Sequence, residues 1–391
     1  MKRLIFLSLL ALAGCAAAPA NVDPQTLLQD QRFPAPASPV NPDEVFALSP
    51  AMRDYARRLT SGRVRGPGAR DALLAALQRD IKLEYDASTT RTASEAFAAR
   101  SGNCLSLLLM TAALAHELDI PVVYQIVYGE DTWTRTGGFA FHSGHVNLVL
   151  GTARRGEWLG THIDNSLVVD FLPADQLARH ITRPISESTA LAMFLNNRAA
   201  EALADGDLAQ AYAWARAAIR AAPSFVPAVN TLGVVYHRHG DLDASEIALR
   251  YAAERERENP QVLSNLATVL ADEGKDGDAR VLRAHLAEIE PYPPFHFLDL
   301  GLQAMQRGDN DGALALFRRE MARMPYDDEV QFAMAIVNLR RGDVRHAQQY
   351  LMLAAENTTT RERRNIYEAK LKYLKSLEGG GGAGLRHNSG M

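Results

Sequence analysis

The sequence predicts a mixed α+β unit followed by an all-α array of helical hairpins, and three observations predict it. Gly206, Gly240, Gly274, Gly308 and Gly342 stand at one constant interval, the period of ~34 residues that marks stacked two-helix repeats. Ahead of them, an apolar helix-length run from Leu105 to Leu118 is followed at once by a strand-like run from Ile120 to Tyr128. Residues 145–150 then read His-Val-Asn-Leu-Val-Leu, which alternates with the period of a strand.

Composition bounds what these units can do. At about 150 residues per domain, a chain of 391 residues makes two or three folded units, and 47% hydrophobic content excludes disorder as the dominant state. With 42 basic and 46 acidic side chains the net charge is −4, so nucleic acid is not an expected partner. Two cysteines cannot build a disulfide-rich scaffold.

At the N-terminus, Lys2 and Arg3 precede an apolar run from Leu4 to Leu12, and small residues lead to Cys15. That is the pattern of an export signal, too short to span a bilayer as a mature helix. Leu12-Ala13-Gly14-Cys15 resembles the bacterial lipobox. The resemblance implies removal of residues 1–14, lipidation of Cys15 and, with Ala16 rather than Asp next, an envelope lipoprotein on the outer membrane facing the periplasm. Cleavage removes Lys2 and Arg3 and leaves 40 basic against 46 acidic residues, so acyl chains rather than charge would hold the membrane. Residues 15–42, with Pro19, Pro24, Pro34, Pro36, Pro39 and Pro42, are expected as a semi-extended tether.

Residues 43–190 form the expected middle unit. Leu73, Leu74, Leu77 and Ile81 recur at helical spacing, and Ser101-Gly102-Asn103-Cys104 punctuates the chain before the apolar helix. Cys104 therefore sits at or beside a helix N-terminus, where unpaired N–H groups and the macrodipole favour a thiolate. The bland alternative is a small buried hydrophobe. Alternation places His145, Asn147 and Val149 on one strand face, and Leu167 to Phe171 reads as a returning strand carrying Asp170. An Asp beside a His fixes its tautomer while the His takes a thiol proton, so Cys104, His145 and Asp170 are the candidate catalytic set. Asp164 lies nearer His145, but Asp164-Asn165-Ser166 is turn chemistry. Backbone N–H groups at the helix start, with the Asn103 side chain, are candidate oxyanion donors.

Other constellations are weaker. His142 and His145, three apart on a strand, point to opposite faces, so with His162 nearby they are not expected to hold a metal, and no cofactor is expected. Trp133 and Trp158 flank the His strand, where they either line a cleft or complete a core. Asn196 and Asn197 either tie the first repeat to the middle unit by hydrogen bonds or stay solvated.

The repeats are expected over 191–359. Asp follows the glycine in four of them, at 207, 241, 309 and 343, with Lys275 in the third. Small residues recur five places after each glycine (Ala211, Ser245, Ala279, Ala313, Ala347) and seven before it (Ala199, Gly233, Ala267, Gly301, Ala335). Antiparallel helices approach closely only where facing side chains are small, and a glycine ends the first helix in the left-handed conformation. Leu232, Tyr236, Leu266, Leu270, Leu300 and Phe317 are expected to fill the layers, and Pro223, Pro291 and Pro325 to separate repeats. Residues 360–378 read as a capping helix and 379–391 as a disordered tail.

Two family resemblances follow from these residues. The period and small-residue pattern of 191–359 resemble five tetratricopeptide repeats, which implies a protein or peptide partner on the concave face. Ala98-Ala99-Arg100-Ser101-Gly102-Asn103-Cys104-Leu105-Ser106, with Ala112 to Pro121, resembles the nucleophile helix and next strand of the transglutaminase-like superfamily. Together with the His-Val-Asn and Val-Val-Asp-Phe strands, the chain resembles bacterial lipoproteins that fuse the two. The implied fold is an α+β transglutaminase/papain-like domain followed by an all-α tetratricopeptide-repeat solenoid. The implied roles are Cys104 as nucleophile, His145 as base and acid, and Asp170 as orienting carboxylate. The implied activity is acyl transfer through a thioester, with hydrolysis of peptide or isopeptide bonds favoured over cross-linking. The interval from His145 to Asp170 is longer than the simple hairpin usual in that superfamily. The competing reading is an inactive envelope adaptor that acts through its repeats.

Overall fold

Proline can start a helix because the first turn needs no N–H donor, and the first two helices use it: α1 (Pro50–Thr60) and α2 (Pro67–Ala76). The computed structural model describes residues 22–60, 67–77, 79, 83–136, 139–151, 167–171 and 181–381. β1 (Glu84–Tyr85) leads to α3 (Ala93–Ala99), which starts in a capping box between Thr92 and Glu95. β2 (Ser101–Gly102) pairs in parallel with β1 and runs directly into α4 (Cys104–Glu117).

The sheet follows. β3 (Val122–Thr136), β4 (Phe139–Leu150), β5 (Leu167–Val169) and β6 (Ile181–Ile185) form an antiparallel sheet in the order β5-β4-β3-β6. Tyr124, Val146, Leu148 and Leu150 share a core with Leu107, Leu108 and Leu114 of α4. β3 extends past the expected strand end at Tyr128, with a register shift between Val127 and Thr132. The polar Gly129-Glu130-Asp131 stretch shows no apolar alternation, which is why this extension escaped the sequence reading. β6 was likewise not expected.

Five hairpins make the array: α5 (Glu187–Ala204) with α6 (Leu208–Ala221), α7 (Val226–His239) with α8 (Leu242–Arg255), α9 (Pro260–Asp272) with α10 (Asp276–Ile289), α11 (His296–Gln306) with α12 (Asn310–Arg323), and α13 (Asp328–Arg340) with α14 (Val344–Asn357). The five periodic glycines close the intrahairpin turns with φ between +77° and +92°. Ala211, Ser245, Ala279, Ala313 and Ala347 are fully buried, as the small-residue pattern requires. At Gly301 a Cβ would stand 2.3 Å from the Phe317 ring, so the fourth hairpin closes over a missing side chain. Leu300, expected as layer filling, is instead 38% exposed, because its neighbour Gly301 occupies the seam.

The flanks differ from expectation. The segment read as a tether docks on the repeats from residue 22 onward: Leu27 and Phe33 are buried, and Phe33 stacks on Tyr212 with ring centroids 4.2 Å apart. The Tyr236 hydroxyl donates to the Leu27 carbonyl at 2.8 Å and accepts the Gln29 N–H at 3.0 Å. Two isolated apolar anchors carry no periodicity, so composition alone conceals them. The boundary expected at residue 190 falls inside α5, and Phe194 and Leu195 of that helix belong to the same core as α4. The cap, α15 (Arg361–Gly381), seats Tyr367 and Leu374 against Leu351 and Ala354, and it runs past residue 378 into the glycines expected as tail. Residues 382–391 lie outside the described residues, as do Cys15 and the leader.

The array meets the α+β unit again further along. Arg135 of β3 forms a bidentate pair with Asp299 of α11, at 2.7 and 2.8 Å, and lies over the Phe295 ring. The Ala87 N–H donates to the Thr359 carbonyl at 2.8 Å, and Arg364 pairs with Glu84. The array thus touches the α+β unit at its first repeat, its fourth and its end, and the two enclose a space between them.

Candidate functional site

Cys104 is the first residue of α4, and its neighbours are spent on holding that helix start in place. The Asn103 carbonyl oxygen accepts from the Ser106 N–H and the Ser106 hydroxyl, both at 2.8 Å, while its amide donates to the Thr90 hydroxyl at 2.9 Å. Ser106 Oγ also accepts the Arg91 N–H at 2.8 Å. Gly102 is required by close approach: a Cβ there would stand 2.7 Å from the Ser106 Cβ. The Asn103 side chain thus caps α4, and the residue also lines the cavity beside Cys104.

His145 faces Val127 in the β3–β4 ladder, and Asp170 stands one residue beyond β5, whose Val169 pairs with Leu148. That register carries Asp170 level with Asn147 and on the side of His145. The His145 Nε2 lies 2.8 and 2.9 Å from the two Asp170 oxygens, and Asn147 donates to Asp170 Oδ2 at 3.1 Å. The side chains of His145 and Asp170 are 3% and 5% exposed. Cys104 is the ring's other polar neighbour, and its side chain helps to raise the imidazole's pKa. Asp164, Trp158 and His162 lie outside the described residues, and so does the side chain of His142.

Burial opposes a charged ring at His145, but the hydrogen bonds to Asp170 and Cys104 outweigh it and push the pKa up to about 9. The imidazole keeps its proton through neutral pH. Cys104 is a free thiol, partly exposed, on the wall of a cavity of about 1010 Å³. The arrangement can present a sulfur nucleophile beside an imidazolium, with space for an acyl group in front of it.

Sequence reading missed Tyr85. It pairs with Gly102 across β1 and β2, lines the same cavity, and its hydroxyl accepts from the Cys104 backbone N–H. Burial, followed by the electrostatic influence of neighbouring Cys104, pushes its ionisation far above the ordinary tyrosine range, so it remains a hydroxyl donor. A two-residue strand has no periodicity that could have signalled it.

Trp133 lines the cavity and also packs against the cluster around Phe295 in the repeats, combining the two roles open to it. Asn196 and Asn197 also face the cavity, and the Asn196 Oδ1 is buried without a hydrogen-bond partner. A tie between the first repeat and the middle unit is made one turn later by a charged residue: Glu201 accepts the Thr90 N–H at 2.7 Å and is paired with Arg198. Thr90 in turn holds Asn103, so α5 connects to the start of α4.

No known protein family matches the chain, and no curated protein matches it. Solved structures with partial similarity include MamA, at 16% identity over 41% of this chain and 93% of that one, with a TM-score of 0.23. PilF of Pseudomonas aeruginosa shows 20% identity over 46% and 90%, with a TM-score of 0.26. A tetratricopeptide repeat protein from Parabacteroides merdae shows 18% identity over 49% and 75%, with a TM-score of 0.25. The repeat architecture stands on the five hairpins and the constant interval between their glycines.

Proposed function

We propose that this protein is a transglutaminase-like acyl-transfer enzyme of the bacterial cell envelope, held through lipid on Cys15, that hydrolyses peptide or isopeptide bonds. The observation that carries the reading is His145 hydrogen-bonded to Asp170 and neighbouring Cys104, whose side chain lines a cavity. The thiolate of Cys104 attacks the acyl carbon and drives the carbonyl electron pair onto oxygen. The Tyr85 hydroxyl, which accepts the Cys104 N–H and keeps its own proton, is the donor for that oxyanion. The His145 proton passes to the leaving nitrogen, the C–N bond breaks, and a thioester remains on Cys104. Neutral His145 then takes a proton from water, hydroxide adds to the thioester, and collapse releases the carboxylic product and restores the ion pair.

Alkylation by iodoacetamide across pH tests this, with Cys104→Ala and His145→Ala as controls. At pH 6.5 the expected rate is one that a free thiol reaches only near its ordinary pKa of about 8.5, and removal of His145 slows it about tenfold or more. A rate equal to that of a free thiol, or no reaction before denaturation, would instead support the second reading. That reading is an adaptor without chemistry whose repeats bind a protein, and the broad cavity along the repeats favours it.

A further inference from the structure

Thr90 is tied on two sides. Its main chain is held by the array: the Thr90 N–H donates to Glu201 Oε1 at 2.7 Å, and its carbonyl accepts from Arg198 Nη1 at 3.3 Å. The neighbouring Thr89 hydroxyl donates to Glu201 Oε2 and accepts from Arg198, both at 3.2 Å. The Thr90 side chain, by contrast, is held by the nucleophile helix, because its hydroxyl oxygen accepts the Asn103 amide at 2.9 Å. One residue on, the Arg91 N–H donates to Ser106 Oγ at 2.8 Å. Two successive residues therefore grip both ends of the turn that starts α4.

The array side of this joint is itself fixed. Arg198 and Glu201 stand one turn apart on α5 and pair at 3.0 Å, and the Arg198 guanidinium lies over the Trp214 ring of α6, 5.6 Å from its centroid. Trp214 in turn meets the buried Phe194 edge-on. The grip is thus part of the first hairpin. Thr90 is only 2% exposed, so its N–H has no access to water if Glu201 is lost, and an unpaired buried donor is costly.

This joint bears on the thiol because Cys104 is the first residue of the turn it holds. Asn103 accepts the Ser106 N–H on its side chain and the Leu107 N–H on its carbonyl. The free N–H groups and dipole of a helix start favour an ionised sulfur only while that first turn is formed. His145 is fixed separately, on β4 and by Asp170, so a loosened turn also moves the sulfur relative to the ring.

We infer that Glu201 is a positioning residue for Cys104, acting through Thr90 and Asn103 to hold the first turn of α4 in register with His145. The inference deepens the acyl-transfer reading and rests on it for what the thiol does. It makes the first repeat a working part of the reaction site, in addition to any binding role of the array.

The test is the pH profile of Cys104 alkylation in the full chain, together with hydrogen exchange of the Ser106 and Leu107 N–H groups. Glu201→Ala moves the midpoint of the profile up by about half a unit to one unit and speeds exchange of the two amides about tenfold. Glu201→Gln keeps an oxygen for the Thr90 N–H and restores both readouts. Thr90→Val reproduces the effect of Glu201→Ala, and the double variant is no worse than either single one, as a path through Thr90 requires. Tyr236→Phe, which loosens the array elsewhere, moves neither readout. A midpoint that stays in place in Glu201→Ala, unchanged exchange at the two amides, or additive effects of the two substitutions overturns the inference. Should the parent chain itself alkylate no faster than a free thiol, the acyl-transfer reading falls on its own. Exchange that still answers to Glu201 then keeps the hold on α4, and exchange that does not removes it.

Discussion

The repeat array and the α+β unit solve the same packing problem with different kinds of information. In the array each contact recurs once per hairpin: Gly301 lies against Phe317 as Gly233 lies against Leu249. Error at one rung is local, and the period announces itself. Around Cys104, by contrast, every contact is made once and over long sequence distances. Asp170 reaches His145 across 25 residues, and Glu201 holds Thr90 from 111 residues away. Repetition makes structure readable, whereas chemistry here depends on contacts that occur a single time.

Four substitutions sharpen that contrast. The largest effect is expected at Asp170→Asn, which removes the carboxylate that helps hold His145 charged. Alkylation of Cys104 at pH 6.5–7.5 falls about tenfold or more, measured against unchanged far-UV helicity. Stability follows the same ring. A folded-state pKa raised to about 9 contributes stability that is full below the ordinary histidine value of about 6.5 and is lost as pH rises through 9. The parent chain therefore melts lower at pH 10 than at pH 7, and Asp170→Asn flattens that dependence.

Next comes Gly301→Val, which drives a side chain into Phe317. The expected cost is about 3 kcal/mol, visible in urea as early loss of the fourth hairpin with alkylation of Cys104 at low urea preserved. Simultaneous loss of both signals would mean that the array and the α+β unit melt together. Tyr236→Phe frees the Leu27 carbonyl and the Gln29 N–H, at about 1 kcal/mol. Limited proteolysis then cuts between residues 22 and 40 faster, and an unchanged rate would mean that Phe33 stacking alone seats the segment. The smallest effect is expected at Asp327→Asn. Burial, with Asp328 and Glu329 adjacent, raises the Asp327 carboxyl to about 6, so its charge costs stability at pH 7. Asparagine keeps the cap on α13 and should raise stability by less than about 1 kcal/mol, an advantage that vanishes below about pH 4 where the acid is neutral in both states.

Legibility tracked the range of each interaction. The helix starting at Cys104, the face shared by His145 and Asn147, and the hairpin positions were readable because each follows from spacing along a few turns. Leu300 misled because one step in register separates seam from solvent on a helix. Tyr85, the docked Phe33 and the β3 extension to Arg135 left no local pattern at all.

By itself the sequence determined the period, the hairpins and the residue types able to support thiol chemistry, because those follow from local backbone preference and from side-chain size at fixed intervals. Tertiary structure alone decided that Asp170 takes Nε2 of His145, that Tyr85 meets the Cys104 amide, and that the array bends back to Glu84 and Arg135. These outcomes depend on where distant segments come to rest, and the free energy that sets them is spread over a shared core rather than written in any one stretch of chain.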